Sequence, residues 1–183
     1  MSGLWVFAYG SLIWDPGFPV QRRLNARVEG YRRGFFMRSV HHRGTPDEPG
    51  LVLALDRADG SVCQGSLLEV PKGSEEHTLN YLRERELISS AYVETRLVAE
   101  SDGNRYQAVT FVVDRKHPQY VTGLSVAEQA AIITKAKGGR GTNSDYLWST
   151  YVALQDAGIN DPELEEIARY VMADRMGQKQ ELA

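Results

Sequence analysis

Short apolar runs separated by turn residues fill most of the chain before residue 115. Residues 4–9 form an unbroken run that ends at a Gly-Ser pair, the pattern of a buried strand that stops in a tight turn. Residues 51–56 and 62–70 lie on either side of Asp59-Gly60, and residues 92–99 and 105–113 lie on either side of Asp102-Gly103. Such pairs between apolar runs predict two β-hairpins.

Helix signals are concentrated in the last third of the chain. Ser125 and Glu128 have the spacing of a capping box, which predicts a helix over residues 127–137 that ends at Gly138. A second helix is predicted over residues 142–157. Asp161 caps a third, whose apolar positions recur at helical spacing. An earlier helix is expected over residues 74–87.

The order of these elements indicates an α+β fold, because strands come first and helices follow. Strict alternation of strand and helix is missing, so a doubly wound parallel sheet is disfavoured. A partly closed, mostly antiparallel sheet fits the pattern better. Since no repeat or long Gly, Ser or Pro linker divides the chain, we expect one domain over residues 1–177 and a polar tail at 178–183.

Composition narrows the possible partners. The 183 residues carry a net charge of −3, with a pI near 5.8, which disfavours a surface built for nucleic-acid phosphates or anionic lipids. The longest apolar run is too short to cross a membrane. The single cysteine predicts a reducing, cytoplasmic location. We therefore expect a small-molecule substrate, no nucleic-acid or membrane partner, and a monomer or weak dimer.

Several familiar chemistries find no support in the sequence. A nucleophile elbow and a zinc-binding helix motif are both missing, and the four histidines lack the spacing of a metal site. Cys63 lies in a predicted strand, where a small buried hydrophobe is the expected role. The glycine-rich residues 137–142 follow a helix rather than a strand, so a helix stop is favoured over a phosphate loop. We expect no metal and no cofactor.

Two features do point to chemistry. The first is the turn over residues 9–12, where Gly10 allows close approach to a ligand and consecutive amides suit a carboxylate or a polarised carbonyl oxygen. Ser11 adds a hydroxyl there. The second is Glu86, which stands where a charged helix gives way to apolar and small residues. A carboxylate in such surroundings loses water and suits general acid–base work, although a solvated helix face is nearly as good an explanation.

The chain resembles the ChaC-type γ-glutamylcyclotransferases in five stretches that follow one another in order. The resemblance runs from about residue 4 to 171. The stretches are residues 5–14 (WVFAYGSLIW), residues 42–46 with Pro49-Gly50, residues 81–86 on to Tyr92, residues 117–120, and residues 141–143 with Tyr146-Leu147. Ala8 and residues 89–91 depart from the family, which often has glycine there. They remain small, so the pocket is expected to keep its shape.

This resemblance implies a small mixed, mostly antiparallel β-barrel with flanking helices, and an enzyme that cleaves glutathione to 5-oxoproline and cysteinylglycine. Glu86 would be the acid–base residue. The implied substrate-binding residues are Tyr9, Gly10, Ser11, Leu12, Ile13 and Trp14, with Tyr120 and Tyr146 as further hydroxyl contacts. The substrate's own α-amine would be the nucleophile, which accounts for the lack of a nucleophile motif.

Three functions remain open from the sequence. The first is the glutathione-specific cyclotransferase, and the second is a cyclotransferase for other γ-glutamyl amino acids or amines. The third is a non-catalytic protein that binds a γ-glutamyl ligand. The presence of both Glu86 and the turn favours an enzyme. Arg43 could either hold a carboxylate or brace a loop.

Overall fold

A computed structural model describes residues 3–87 and 90–181 of the chain. Among them, one compact unit contains residues 3–33, 54–87 and 90–120, and a second contains residues 34–53 and 121–181. The chain leaves the first unit within strand β2 (Arg22–Ser39) and re-enters it within strand β3 (Gly50–Glu69). The single domain over residues 1–177 stays a prediction.

The paired strand segments of the first unit belong to a closed barrel of mixed direction. Strands β1 (Trp5–Ala8), β4 (Tyr92–Ser101) and β5 (Asn104–Val113) join β2 and β3 in the order β1-β3-β2-β4-β5. Strand β1 is antiparallel to β3 and parallel to β5, whereas β4 is antiparallel to both β2 and β5. The α+β class and the mixed, mostly antiparallel barrel are therefore confirmed.

Both predicted hairpins are present. Strands β4 and β5 meet at Asp102-Gly103, whose φ values of 47° and 75° suit a two-residue turn that matches the twist of the strands. The other hairpin lies inside β3. Leu55 runs parallel to β5, but residues 66–69 run antiparallel to β1, which is itself parallel to β5. The chain therefore reverses direction between them, and Gly60 has the positive φ (76°) of a turn.

Alternating side chains of the five strands fill the inside of the first unit. Cys63 is 3% exposed and belongs to this cluster, which confirms its role as a small buried hydrophobe. Helix α1 (Glu75–Glu86) follows β3 and confirms the helix predicted over residues 74–87. The core of this unit contains, among others, Trp5, Phe7, Tyr9, Val28, Tyr31, Leu55, Leu67, Leu97 and Val112.

The second unit contains the three helices predicted near the end of the chain. Helices α2 (Val126–Lys135), α3 (Asn143–Asp156) and α4 (Pro162–Glu181) pack against one another. The predicted capping box is present, since the Ser125 amide donates to Glu128 Oε2 (2.8 Å) and the Glu128 amide donates to Ser125 Oγ (3.3 Å). Helix α4 continues to Glu181, and residues 182–183 of the predicted tail lie outside the described residues.

One boundary differs from the prediction. Helix α2 ends at Lys135, and its cap Ala136 is extended, so Gly138 is not the residue that stops the helix. Gly138 instead lies in a two-residue strand, β6 (Lys137–Gly138), which pairs with β7 (Gly141–Thr142). The glycines of this stretch form a small hairpin rather than a helix stop.

Helices in the described part of the chain lack the combination of length and apolar character that crossing a membrane requires.

Candidate active site

Strand β1 ends in a short helical turn that buries its apolar side chains. Gly10 precedes a 3-10 turn over Ser11–Ile13, in which the Ile13 amide donates to the Gly10 carbonyl oxygen (2.9 Å). Leu12 and Ile13 are each 7% exposed, which anchors the turn to the protein interior. Ser11 is half-buried, so its hydroxyl stands at the edge of the anchored turn.

Tyr9 fixes the end of strand β1. Its ring is 8% exposed, and its hydroxyl donates to the carbonyl oxygen of Phe111 on strand β5 (2.8 Å). Substrate binding by Tyr9 stays a prediction, and the structure shows a packing role for this side chain. Trp14, at the other end of the turn, is half-buried.

Two arginines hold the backbone of the turn. Arg33 Nη1 donates to the carbonyl oxygen of Tyr9 (3.2 Å), and Arg23 Nη1 donates to that of Ile13 (2.7 Å). These contacts lie at opposite ends of the 3-10 turn. The backbone of the turn is therefore held before any ligand binds.

Helix α1 brings a third arginine to the same turn. Arg85 Nη2 donates to Ser11 Oγ (3.1 Å), and Nη1 donates to the carbonyl oxygen of Asp15 (2.8 Å) and to the Tyr81 hydroxyl (3.0 Å). The Arg85 side chain is 10% exposed. Tyr81 and Arg85 are four residues apart and share a helix face, so the tyrosine hydroxyl can support the arginine that reaches the turn.

Glu86 is held through this arginine. Its Oε1 lies 3.2 Å from Arg85 Nε, and its side chain is 18% exposed. Burial opposes the charge of Arg85, but the Tyr81 hydroxyl and the Glu86 carboxylate outweigh it and raise the pKa of Arg85 above its ordinary value. We call Ser11, Asp15, Tyr81, Arg85 and Glu86 the Arg85 cluster. Within this cluster, the Arg85 side chain connects Glu86 to the turn over residues 9–12, the two features that point to chemistry in the sequence.

Tyr120 belongs to a different polar group in the first unit. Its hydroxyl donates to Asp56 Oδ2 (3.1 Å), and the same carboxylate accepts hydrogen bonds from Arg115 and Arg32. The Asp56 side chain is only 1% exposed. Burial alone would raise the pKa of Asp56, but the hydrogen bonds from Arg115, Arg32 and Tyr120 together lower it. The predicted contact of Tyr120 with substrate is not tested by this arrangement.

Tyr146 lies in the second unit, where its hydroxyl accepts a hydrogen bond from the Leu53 amide (3.1 Å). Asn143 lies three residues earlier in the chain. Its side-chain oxygen accepts a hydrogen bond from the Leu51 amide (2.6 Å), and its side-chain nitrogen donates one to the Leu51 carbonyl oxygen (2.7 Å). Arg43 lies over the Tyr146 ring, 5.6 Å from its centroid. We call Arg43, Asn143 and Tyr146 the Arg43 cluster. A substrate contact of Tyr146 stays a prediction.

The contacts of Arg43 fit one of the two roles considered for it, which is to brace a loop. Arg43 Nη1 donates to the carbonyl oxygens of Arg140 (2.7 Å) and Thr142 (3.3 Å). These contacts show a side chain that braces a loop. In these two contacts, the bracing acts through backbone carbonyl oxygens.

Sequence reasoning missed Arg85, Tyr81 and Asp56. The run Arg83 to Glu86 alternates in charge, and alternation by itself is typical of a solvated helix face. Arg83 fits that explanation, because it is 45% exposed and pairs with Glu94. A signal did exist for Arg85, since Tyr81 precedes it by four residues and places an aromatic hydroxyl on the same face.

Where the chain departs from the family pattern, two side chains are buried and one residue has a left-handed backbone conformation. Ala8 and Ala91 are fully buried. Ser90 has a φ of 55°, a left-handed conformation that glycine adopts more readily, which accounts for the family's preference there. Ser89 lies outside the described residues.

Within residues 3–87 and 90–181, no three His, Cys, Asp or Glu side chains come together as a metal site requires.

Two solved structures with the same architecture are described as γ-glutamylcyclotransferases. A yeast structure described as a γ-glutamylcyclotransferase specific to glutathione matches with a TM-score of 0.84 at 22% identity, covering 94% of this chain and 97% of that chain. A second yeast structure of the same description matches with a TM-score of 0.82 at 24% identity, covering 95% and 100%. The fold is therefore that of the γ-glutamylcyclotransferases.

Sequence comparison gives the family. The model of the ChaC-like protein family matches residues 4–174. The glutathione-specific γ-glutamylcyclotransferase of Escherichia coli is 33% identical over 86% of this chain and 70% of its own length. The γ-glutamylcyclotransferase 2-3 of Arabidopsis thaliana is 34% identical over 92% and 88%. The chain belongs to the ChaC-like family, as the resemblance implied.

Proposed function

We propose that this protein cleaves glutathione to 5-oxoproline and cysteinylglycine. The observation that carries the proposal is the position of Glu86, which is largely buried and joined through Arg85 to Ser11 of the glycine turn. Relatives at about a third identity, from Escherichia coli and from Danio rerio, are named glutathione-specific γ-glutamylcyclotransferases, which supports the same substrate.

The reaction needs one proton carrier and a folded substrate. Glu86 takes a proton from the α-ammonium of the γ-glutamyl group, and the freed amine attacks the γ-carbonyl carbon of the same group. As the ring closes, the attacking nitrogen gives its second proton to water, and the bond from the γ-carbonyl carbon to the cysteinyl nitrogen breaks. Glu86 returns the first proton to the leaving amine. One carboxylate serves as base and then as acid.

Folding the substrate is the larger task of the site. When a group attacks within its own molecule, correct orientation removes up to roughly 7–11 kcal/mol from the barrier. The turn over residues 9–14 is suited to this role because Arg23 and Arg33 hold its backbone and Leu12 and Ile13 anchor it. We assign substrate binding to this turn.

The turn also supplies donors. The first amides of a helical turn have no acceptor within that turn, so those of Ser11 and Leu12 suit an anionic oxygen. Such an oxygen develops on the γ-carbonyl during attack, and another exists in the α-carboxylate. Either assignment gives the turn a direct role in catalysis or binding.

One assay tests the proposal. Purified protein is incubated separately with glutathione and with γ-glutamyl-alanine, and 5-oxoproline is quantified. Product from glutathione alone is the expected result. Product from γ-glutamyl-alanine alone would assign a different γ-glutamyl substrate, and binding without product would assign a non-catalytic role.

We also propose a cytoplasmic location, one family domain over residues 1–177, and a monomer or weak dimer without nucleic-acid or membrane partners. The lone cysteine and the net charge of −3 support the location and the partners. A single family model that matches residues 4–174 supports the domain. Sedimentation velocity over a range of concentrations tests the oligomeric state.

A further inference from the structure

We propose that Arg85 is a positioning residue that orients Glu86 and Ser11 for the reaction and does not itself bind substrate. This inference rests on the proposed function. It concerns a side chain that the sequence patterns did not single out, and it follows from how fully the guanidinium group is engaged inside the protein.

Arg85 already has hydrogen-bond and ion-pair partners inside the protein. A guanidinium group presents five N–H donors in a rigid plane. In Arg85, Nη1 bonds to Asp15 O and the Tyr81 hydroxyl, Nη2 bonds to Ser11 Oγ, and Nε faces Glu86 Oε1 at 3.2 Å. The Asp15 carboxylate is a second charged neighbour, with Oδ2 3.7 Å from Nη1. All three nitrogens have protein partners, so a role inside the site is favoured over direct binding of a substrate carboxylate.

Arg85 also sets the direction of the Ser11 hydroxyl. Because Ser11 Oγ accepts a hydrogen bond from Arg85, the hydroxyl hydrogen must point away from the guanidinium group. Ser11 is thereby set as a donor. A donor at the turn matches an anionic oxygen of the substrate, whereas an undirected hydroxyl would lose part of that interaction to rotation.

Arg85 acts on Glu86 through its charge and through the geometry of their contact. A positive charge 3.2 Å from a carboxylate favours its ionised form. The ionised form is the one that removes the proton from the substrate ammonium. Contact through Nε also fixes the direction of Oε1, which restricts where the proton is taken up and returned.

Arg85 is itself held in place by neighbouring residues. The Tyr81 hydroxyl accepts a hydrogen bond from Arg85 Nη1. The Tyr81 side chain packs so closely on Gly17 that a Cβ on that glycine would overlap it. Gly17 also has a φ of 72°. Helix α1 is therefore joined to the segment after the turn by ring packing and by the Arg85 bonds, so the arginine has little freedom to move toward a ligand.

The decisive experiment separates positioning from binding by steady-state kinetics on Arg85→Gln. We expect kcat with glutathione to fall about 100-fold, since a displacement of about 1 Å near the reacting atoms costs that much, with KM changed less than about threefold. The acid limb of the kcat/KM pH profile should move to higher pH, because the ionised form of Glu86 loses its neighbouring positive charge.

Arg83→Gln is the matched control, because Arg83 is on the same helix and also pairs with a glutamate, but is exposed. It should keep wild-type kinetics. Arg85→Lys restores the charge without the planar set of donors, so it should return the acid limb towards the wild-type position while kcat stays low.

Other results overturn the inference. A loss confined to KM would make Arg85 a substrate ligand, and a lower kcat with an unmoved acid limb would make its role merely structural. Should Arg85→Gln fail to fold, Arg85→Lys and Tyr81→Phe decide, and wild-type kcat in both contradicts positioning. If wild-type protein yields no 5-oxoproline, the proposed function fails instead, so the two failures are distinguishable.

Discussion

The Arg85 cluster and the Arg43 cluster contain similar residues but have different roles. Each combines an arginine with a tyrosine hydroxyl near a glycine-containing turn. In the Arg43 cluster, the hydrogen-bond partners described above are backbone groups, such as the carbonyl oxygens of Arg140 and Thr142. In the Arg85 cluster, Arg85 also binds two hydroxyls and pairs with the carboxylates of Glu86 and Asp15.

This difference shows what an arginine contributes in each place. Arg43 binds backbone carbonyl oxygens, which carry no titratable group, so the Arg43 cluster holds loops in position and stabilises the fold. Side-chain partners include a titratable group, so the Arg85 cluster sets the orientation and charge of Glu86. We expect changes in the first cluster to affect unfolding and changes in the second to affect turnover.

The largest expected effect tests the chemical side of this comparison. Glu86→Gln keeps the shape of the side chain but removes the proton carrier, so kcat should fall by about 10²- to 10⁴-fold. Melting temperature and glutathione affinity, measured by calorimetry, should stay close to wild type. Glu84→Gln, on the exposed part of the same helix, is the control. Turnover by Glu86→Gln within tenfold of wild type would contradict the acid–base role.

The next effect concerns stability in the second unit. Asn143→Ala leaves the buried amide and carbonyl of Leu51 without their side-chain partner, so the free energy of unfolding should fall by roughly 2–5 kcal/mol. Urea unfolding measures it. Asn104→Ala removes only an exposed contact in the β4–β5 hairpin and should change stability by less than about 0.5 kcal/mol. Equal losses in the two variants would refute the assigned role.

Close backbone packing gives a smaller expected loss. A Cβ at Gly138 would lie 2.6 Å from the Gly44 nitrogen and from the His42 carbonyl, so Gly138→Ala should cost about 1–3 kcal/mol in unfolding free energy. The adjacent Gly139→Ala would approach His41 O at 3.3 Å and should cost less. Thermal unfolding of both variants tests the order, and a reversed order would show that the loop shifts freely.

The smallest expected effect is a pH dependence in the first unit. The pKa of Asp56 is lowered in the folded protein from its ordinary value of 3.8, so its stabilising contribution is present above that value and is lost as pH falls through the folded value. The free energy of unfolding of the wild type, measured with urea, should therefore decrease as the pH falls through this acidic range. Asp56→Asn should show a shallower dependence. Identical slopes would show that Arg32, Arg115 and Tyr120 do not stabilise this carboxylate.

Much of the fold is predictable because local physics decides it. The capping box at Ser125 and Glu128, the hairpin at Asp102-Gly103 and the apolar face of α4 each depend on residues a few positions apart. Gly138 is a failure of the same reasoning. A glycine after a helix suggests a stop, but here its missing side chain is required by the close approach of His42 and Gly44, which are far away in sequence.

By itself, the sequence determined the α+β class, the family, and the two features that define the candidate site, because turn residues, helical spacing and collinear motifs are all written along the chain. Only the tertiary structure decided what joins those features. Arg85 and Ser11 are 74 residues apart, and no spacing rule links them. Their contact exists because helix α1 packs against the segment that follows strand β1. The same packing separates an arginine that orients a carboxylate from Arg83, a near neighbour that remains at the surface.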